Sequence, residues 1–164
     1  MRRTIPLSLA AAALAGSAVL AQTSTPAPTL RATPFEPFLY QTAKEVDALT
    51  HKPDGKVASA VVSDHEYYYV EYVTRADSGN NPEAHGHWYD YIHVLGGEGT
   101  ITYGGTQPGA RDVGQAEMRG GTLEGAKTIT LHPGDRLVIP PGLPHLFSAT
   151  KGNTFTYLIF KQRV

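Results

Sequence analysis

The chain has 164 residues, with 14 basic and 15 acidic side chains, 7 histidines and no cysteine. That length suffices for one domain with its own core. Near-neutral charge without a basic patch argues against a nucleic-acid partner. The absence of thiols excludes disulfides, thiolate zinc sites and iron–sulfur clusters, so any metal must be held by nitrogen and oxygen.

Arg2 and Arg3 precede an apolar, alanine-rich run from Ile5 to Leu20, which ends in the small-residue stretch Val19-Leu20-Ala21. Residues 1–21 are therefore expected to be a signal peptide, cleaved before Gln22. The run is slightly short for a spanning helix, so no membrane association is expected after cleavage, and the product is periplasmic or secreted. Arg2-Arg3 leaves the general and the twin-arginine export routes both open. Residues 22–38, rich in Thr, Pro and Ala, read as a flexible tether. A single domain over residues 39–164 follows.

The domain opens with "TAKEVDAL", Thr42 to Leu49. Thr42 and Glu45 fit a capping box, and Val46 and Leu49 form a short apolar stripe, which predicts one short helix. After the turn residues "HKPDGK" the apolar period changes to two. Strands are expected over Val57–Val62, Glu66–Thr74, His85–Leu95, the "TITYGG" segment, Lys127–Leu131, Arg136–Pro140, His145–Thr150 and Thr154–Phe160. Thr106 to Arg119 is a loop-rich excursion able to form a hairpin. Many short strands separated by glycine or proline point to an all-β sandwich or barrel.

"HGHWYDYIHVLGGEG", His85 to Gly99, concentrates imidazoles in one expected strand. In an extended segment His85 and His87 point to the same side. Two registers are open beyond them. One turns Asp90, Ile92 and Val94 inward and leaves His93 outside. The other turns Tyr89, Tyr91 and His93 inward, which makes His93 an alternative ligand. The first keeps the apolar side chains in the core. Asp90 can then ligate a metal, or hydrogen-bond a ligating histidine. Trp88, Tyr89, Ile92 and Tyr72 are the candidate pocket-lining residues. Arg111, Arg119 and Lys127 read as solvated, the alternative being contact with an anionic substrate.

"GDRLVIPPGLPH", Gly134 to His145, supplies a strand, a proline–glycine turn and a further histidine. Gly134, Pro140, Gly142 and His145 fall on the second motif of the cupin family, which this sequence resembles. Ala149 stands where the family has asparagine. His85 and His87 match the histidine pair of the first motif, Gly97 its glycine, and Asp90 stands at the acidic position. Two residues separate Asp90 from His87, where the family has three or four before its glutamate. The resemblance covers roughly Glu66 to Phe160. It implies a jelly-roll or double-stranded β-helix barrel, with His85, His87 and His145 converging on one divalent transition metal per subunit. Imidazole ligands suit iron, copper, nickel, manganese or zinc. It further implies a metalloenzyme for a small-molecule or carbohydrate substrate, with oxygen-dependent oxidation by iron or copper of a small organic acid, phenol or sugar as the leading expectation. The alternatives are a redox-neutral isomerase or decarboxylase, and a non-catalytic periplasmic module that binds a metal or small ligand. A homodimer is expected through outward residues such as Tyr91 and Leu95.

Overall fold

The computed structural model describes residues 39–50, 58–78 and 80–164. The expected leader and tether lie outside the described residues, as does the turn expected at His51–Lys56. The helix α1 spans Ala43–Thr50. Thr42 caps it as its sequence predicts: Glu45 Oε2 accepts from the Thr42 backbone N–H and from its hydroxyl, each at 2.7 Å. The end of α1 is tied to the sheet by the Thr74 hydroxyl, which donates to Thr50 O at 2.8 Å.

Among the described residues eleven strands follow: β1 (Ala58–Asp64), β2 (Tyr68–Arg75), β3 (Glu83–His85), β4 (Trp88–Gly97), β5 (Gly99–Tyr103), β6 (Arg111–Asp112), β7 (Glu117–Arg119), β8 (Lys127–Leu131), β9 (Arg136–Ile139), β10 (His145–Ala149) and β11 (Phe155–Arg163). They form two antiparallel sheets, ordered β1-β2-β11-β4-β9 and β6-β7-β3-β10-β5-β8. This is the all-β double-sheet architecture that the period-two pattern predicts, with one short helix. The core between the sheets is built from alternate residues, among them Ile92 and Val94 of β4, Ile101 of β5, Phe147 of β10 and Phe155, Tyr157 and Ile159 of β11. Phe155 is fully buried, which stabilises the fold by about 2–3 kcal/mol. Its ring lies where a side chain on residue 99 would stand, since a Cβ there would come within 2.4 Å of it, so only glycine fits.

The expected continuous strand from His85 to Leu95 is broken. Gly86 and His87 form a turn at which the chain leaves one sheet for the other. The cause is local. Gly86 N–H donates to Ala116 O at 2.8 Å, and a Cβ on Gly86 would sit 2.4 Å from Ala116 Cβ. The chain can press against the β6–β7 hairpin there only because residue 86 has no side chain. Once the strand breaks, the same-side relation of His85 and His87 no longer holds. His87 is exposed, and its carbonyl accepts from Val164 N at 2.9 Å.

Two cross-strand rows set up the functional end of the barrel. In the six-stranded sheet, Tyr103, His145, Glu83, Arg119 and Arg111 are successive register partners across β5, β10, β3, β7 and β6. In the five-stranded sheet, Tyr69, Lys161, Asp90 and Ile139 are partners across β2, β11, β4 and β9. His85 Nε2 lies 3.5 Å from Asp90 Oδ2, which joins the two sheets at this end.

Candidate metal centre

β3 alternates Glu83, Ala84 and His85, so Glu83 and His85 share the inner side. β4 turns Asp90, Ile92 and Val94 inward, with Tyr91 and Leu95 outward. That is the register favoured by the apolar pattern. The turn formed by Pro140 to Pro144 delivers His145 to the start of β10, directly opposite Glu83. His145 is fully buried, Asp90 is 1% exposed and His85 5% exposed.

Among the described residues, Glu83, His85 and His145 offer ligand atoms that all lie within 4.8 Å of one another. Glu83 Oε1 lies 3.7 Å from His85 Nε2 and 3.5 Å from His145 Nε2. Asp90 Oδ2 lies 3.5 Å and 3.9 Å from the same two nitrogens. Bonds of about 2.1 Å to a common ion require donor atoms roughly 3–4 Å apart, so these separations fit one cation.

The tautomers fit as well. Nδ1 of His85 lies 2.5 Å from Glu117 Oε2, and Nδ1 of His145 lies 2.9 Å from Leu143 O. An acceptor at Nδ1 places the ring proton there and leaves the lone pair on Nε2. Both Nε2 atoms are buried and have no hydrogen-bond partner among the described residues, and the same holds for Asp90 Oδ1. Buried polar atoms rarely go unpaired, and two imidazole lone pairs aimed at two carboxylates form a donor set for a divalent transition metal. Burial pushes the pKa of His145 down to about 4 against the pull of the Leu143 carbonyl, so at neutral pH the ring is uncharged.

Glu83, His85 and Asp90 of this cluster line a cleft of about 300 Å³. Lys161 Nζ reaches into it and donates to Asp90 Oδ2 at 3.0 Å. Burial lowers the Lys161 pKa, and the adjacent Asp90 raises it. Arg119 binds Glu83 through one nitrogen and Glu117 Oε2 through the other, the latter at 3.1 Å. Arg75 Nε donates to the Tyr157 hydroxyl at 3.1 Å. Tyr69 and Glu71 also face the cleft, and burial raises the pKa of each.

The structure thus gathers His85, His145 and Asp90 of the candidates taken from the sequence, and leaves His87 and His93 out. His87 is on the exposed turn. His93 lies opposite Leu158 and Arg136, on the other side of β4 from Asp90. Of the expected pocket-lining residues, Trp88 lines the cleft. Tyr89 points outward, its ring 6.3 Å from that of Tyr91. Tyr72 lies on the outer side of β2, because Tyr69, Glu71, Val73 and Arg75 take the inner one. Ile92 is packed in the core beneath the cleft. Glu83, Glu117 and Lys161 are cleft residues that the sequence pattern did not single out, and Arg119, expected to be solvated or else to meet an anionic substrate, lines the cleft as well.

No family model matches the chain, and no curated protein matches it. Solved structures do. A cupin superfamily protein from Desulfitobacterium hafniense is 18% identical over 73% of this chain and 88% of its own, with a TM-score of 0.52. A conserved protein with a double-stranded β-helix domain from Klebsiella pneumoniae is 17% identical over 78% of this chain and 91% of its own, with a TM-score of 0.54. A conserved protein of unknown function from Streptococcus pyogenes is 12% identical over 77% and 91%, with a TM-score of 0.55. At these identities the likeness is one of fold.

Proposed function

Starting from a chain with the cupin double-stranded β-helix fold, we propose that it is a mononuclear metalloenzyme for a small organic acid, phenol or sugar. His85, His145 and Glu83 would hold the ion, with Asp90 as a fourth donor. The observation that carries this is the pair of buried, unpartnered Nε2 atoms whose Nδ1 atoms are both tied to acceptors. A bound divalent transition ion supplies a Lewis-acidic centre with positions left open for substrate. Two imidazoles with a carboxylate favour iron(II) over copper, which supports an oxygen-dependent oxidation.

The chain's own residues have separate tasks. Glu117 and the Leu143 carbonyl orient the two imidazoles. Lys161 compensates the buried Asp90 carboxylate. Tyr69, Glu71 and Trp88 wall the cleft that admits the substrate. Export of the domain to the periplasm or beyond belongs to the same proposal, on the strength of residues 1–21.

A non-catalytic binding module is the second reading. The Lys161 ammonium on Asp90 favours it, because it occupies one donor that an active centre would use. One experiment separates the two. The mature protein and its His145→Ala variant are loaded in turn with iron(II), copper, nickel, manganese and zinc. Oxygen uptake and peroxide release are then followed with aromatic acids, small hydroxy-acids and sugars, and the same mixtures are checked for isomerised or decarboxylated product. Turnover by the wild type above the variant supports the enzyme. Stoichiometric metal without turnover in any arm supports the binding module.

A further inference from the structure

Beside the cleft lies a second cavity of about 280 Å³, lined by Arg75, Arg111, Arg119, Glu83, Asn80 and Asn81. Arg75, Glu83 and Arg119 line both cavities, so the two are contiguous at these residues. Three guanidinium groups meet one carboxylate in its wall. Counting Glu117, which takes an N–H of Arg119 from the other cavity, still leaves positive charge in excess.

The three arginines are unequally compensated. Arg111 on β6 and Arg119 on β7 are direct register partners in an antiparallel pair. Like charges facing each other across such a pair destabilise it. Arg119 is satisfied by Glu83 and Glu117. The exposed Arg111 side chain makes no hydrogen bond or ion pair among the described residues, and Arg75 Nη2 stays 3.9 Å from Glu83 Oε1, too far for a hydrogen bond. The charge of Arg75 is felt at Arg119, where after burial it is the next cause that lowers the guanidinium pKa. Guanidinium groups present fixed forks of N–H donors that match the oxygens of carboxylate and phosphate.

We propose that Arg75, Arg111 and Arg119 form an anion pocket that takes the carboxylate or phosphate group of a small substrate, with the rest of that molecule extending past Glu83 toward His85 and His145. The placement of the reacting end rests on the metalloenzyme reading. The anion pocket does not.

The test uses the full mature chain, metal-free and then cobalt-loaded. It is titrated with inorganic phosphate in one arm and malonate in the other. Trp88, the only tryptophan, lines the adjoining cleft and reports binding by its fluorescence, with calorimetry as a second readout. Saturable binding of one anion per chain is expected. Arg111→Gln should weaken it roughly tenfold, the loss of about one charge-assisted contact, and Arg111→Lys should weaken it less. Arg136→Gln, an exposed control on β9, should leave it unchanged. Metal stoichiometry should be the same in all four proteins. Absence of saturable binding of either anion overturns the proposal, as does equal affinity in wild type and Arg111→Gln. Anion binding without cobalt binding upholds the pocket and rejects the metal centre.

Discussion

His145 on β10 stands directly opposite Glu83 on β3, with its Nε2 3.5 Å from Glu83 Oε1. That one register pair, together with His85 two residues along β3, places three ligand atoms from two neighbouring strands around a single point. The pair that shares one side of β3 is therefore Glu83 and His85, and His87 lies beyond the turn. His87→Ala should leave the affinity for zinc or cobalt at its wild-type value, whereas Glu83→Ala should lower it about tenfold or more, one donor being lost. Competition with a chelating dye measures both. A large loss in His87→Ala would mean that the turn at Gly86 does not exclude that ring.

Glu117 acts through His85. Its carboxylate meets Nδ1 at 2.5 Å and fixes both the tautomer and the tilt of the ring. Glu117→Ala should weaken metal binding by about 10- to 100-fold while the fold remains intact. Glu117→Gln, which keeps an acceptor, should recover part of the loss. The same dye competition, with circular dichroism as a control for folding, decides the outcome.

Lys161 compensates a carboxylate that is almost wholly buried. Lys161→Met leaves the Asp90 charge without its cation and should destabilise the metal-free protein by about 3 kcal/mol or more. A divalent ion restores positive charge at the same place. Zinc should therefore raise the melting temperature of Lys161→Met by more than it raises that of the wild type, as thermal unfolding with and without zinc would show. An equal rise in both proteins would separate Asp90 from the metal.

His145 gives the metal-free protein a pH dependence of definite sign. Its folded pKa of about 4 lies below the unfolded value of about 6.5, so between those values the unfolded chain binds more protons. Stability attributable to this ring is present above pH of about 6.5 and is lost as the pH falls toward 4, by up to about 3 kcal/mol. Urea midpoints followed by Trp88 fluorescence should show this loss in wild type, and a smaller loss in His145→Leu. Identical losses would remove His145 as the cause.

The fold was legible because its strands are short, alternate cleanly and are separated by glycine and proline. The capping box at Thr42 and the inward face of Asp90, Ile92 and Val94 were legible for the same local reasons. His145 could be placed because the Pro140-Pro141-Gly142 turn precedes a strand. Glu83 and Glu117 were not, because their roles depend on β3 pairing with β7 and β10, which lie 32 or more residues away along the chain, and Arg119 was raised only as an alternative contact for an anionic substrate. Lys161 left a trace: Phe155, Tyr157, Ile159 and Lys161 share one side of β11, so a lysine continues an otherwise apolar inner face. His87 misled because the i, i+2 argument assumes an unbroken strand, and Gly86 breaks it.

Equilibrium dialysis of metal-free protein against iron(II), cobalt or zinc, followed by elemental analysis, decides whether His85 and His145 hold an ion. One ion per chain is expected in wild type and in His87→Ala, and none in a His85→Ala/His145→Ala double variant that remains folded. Full occupancy in the double variant, or no stoichiometric ion in the wild type with any of the three metals, would contradict that role.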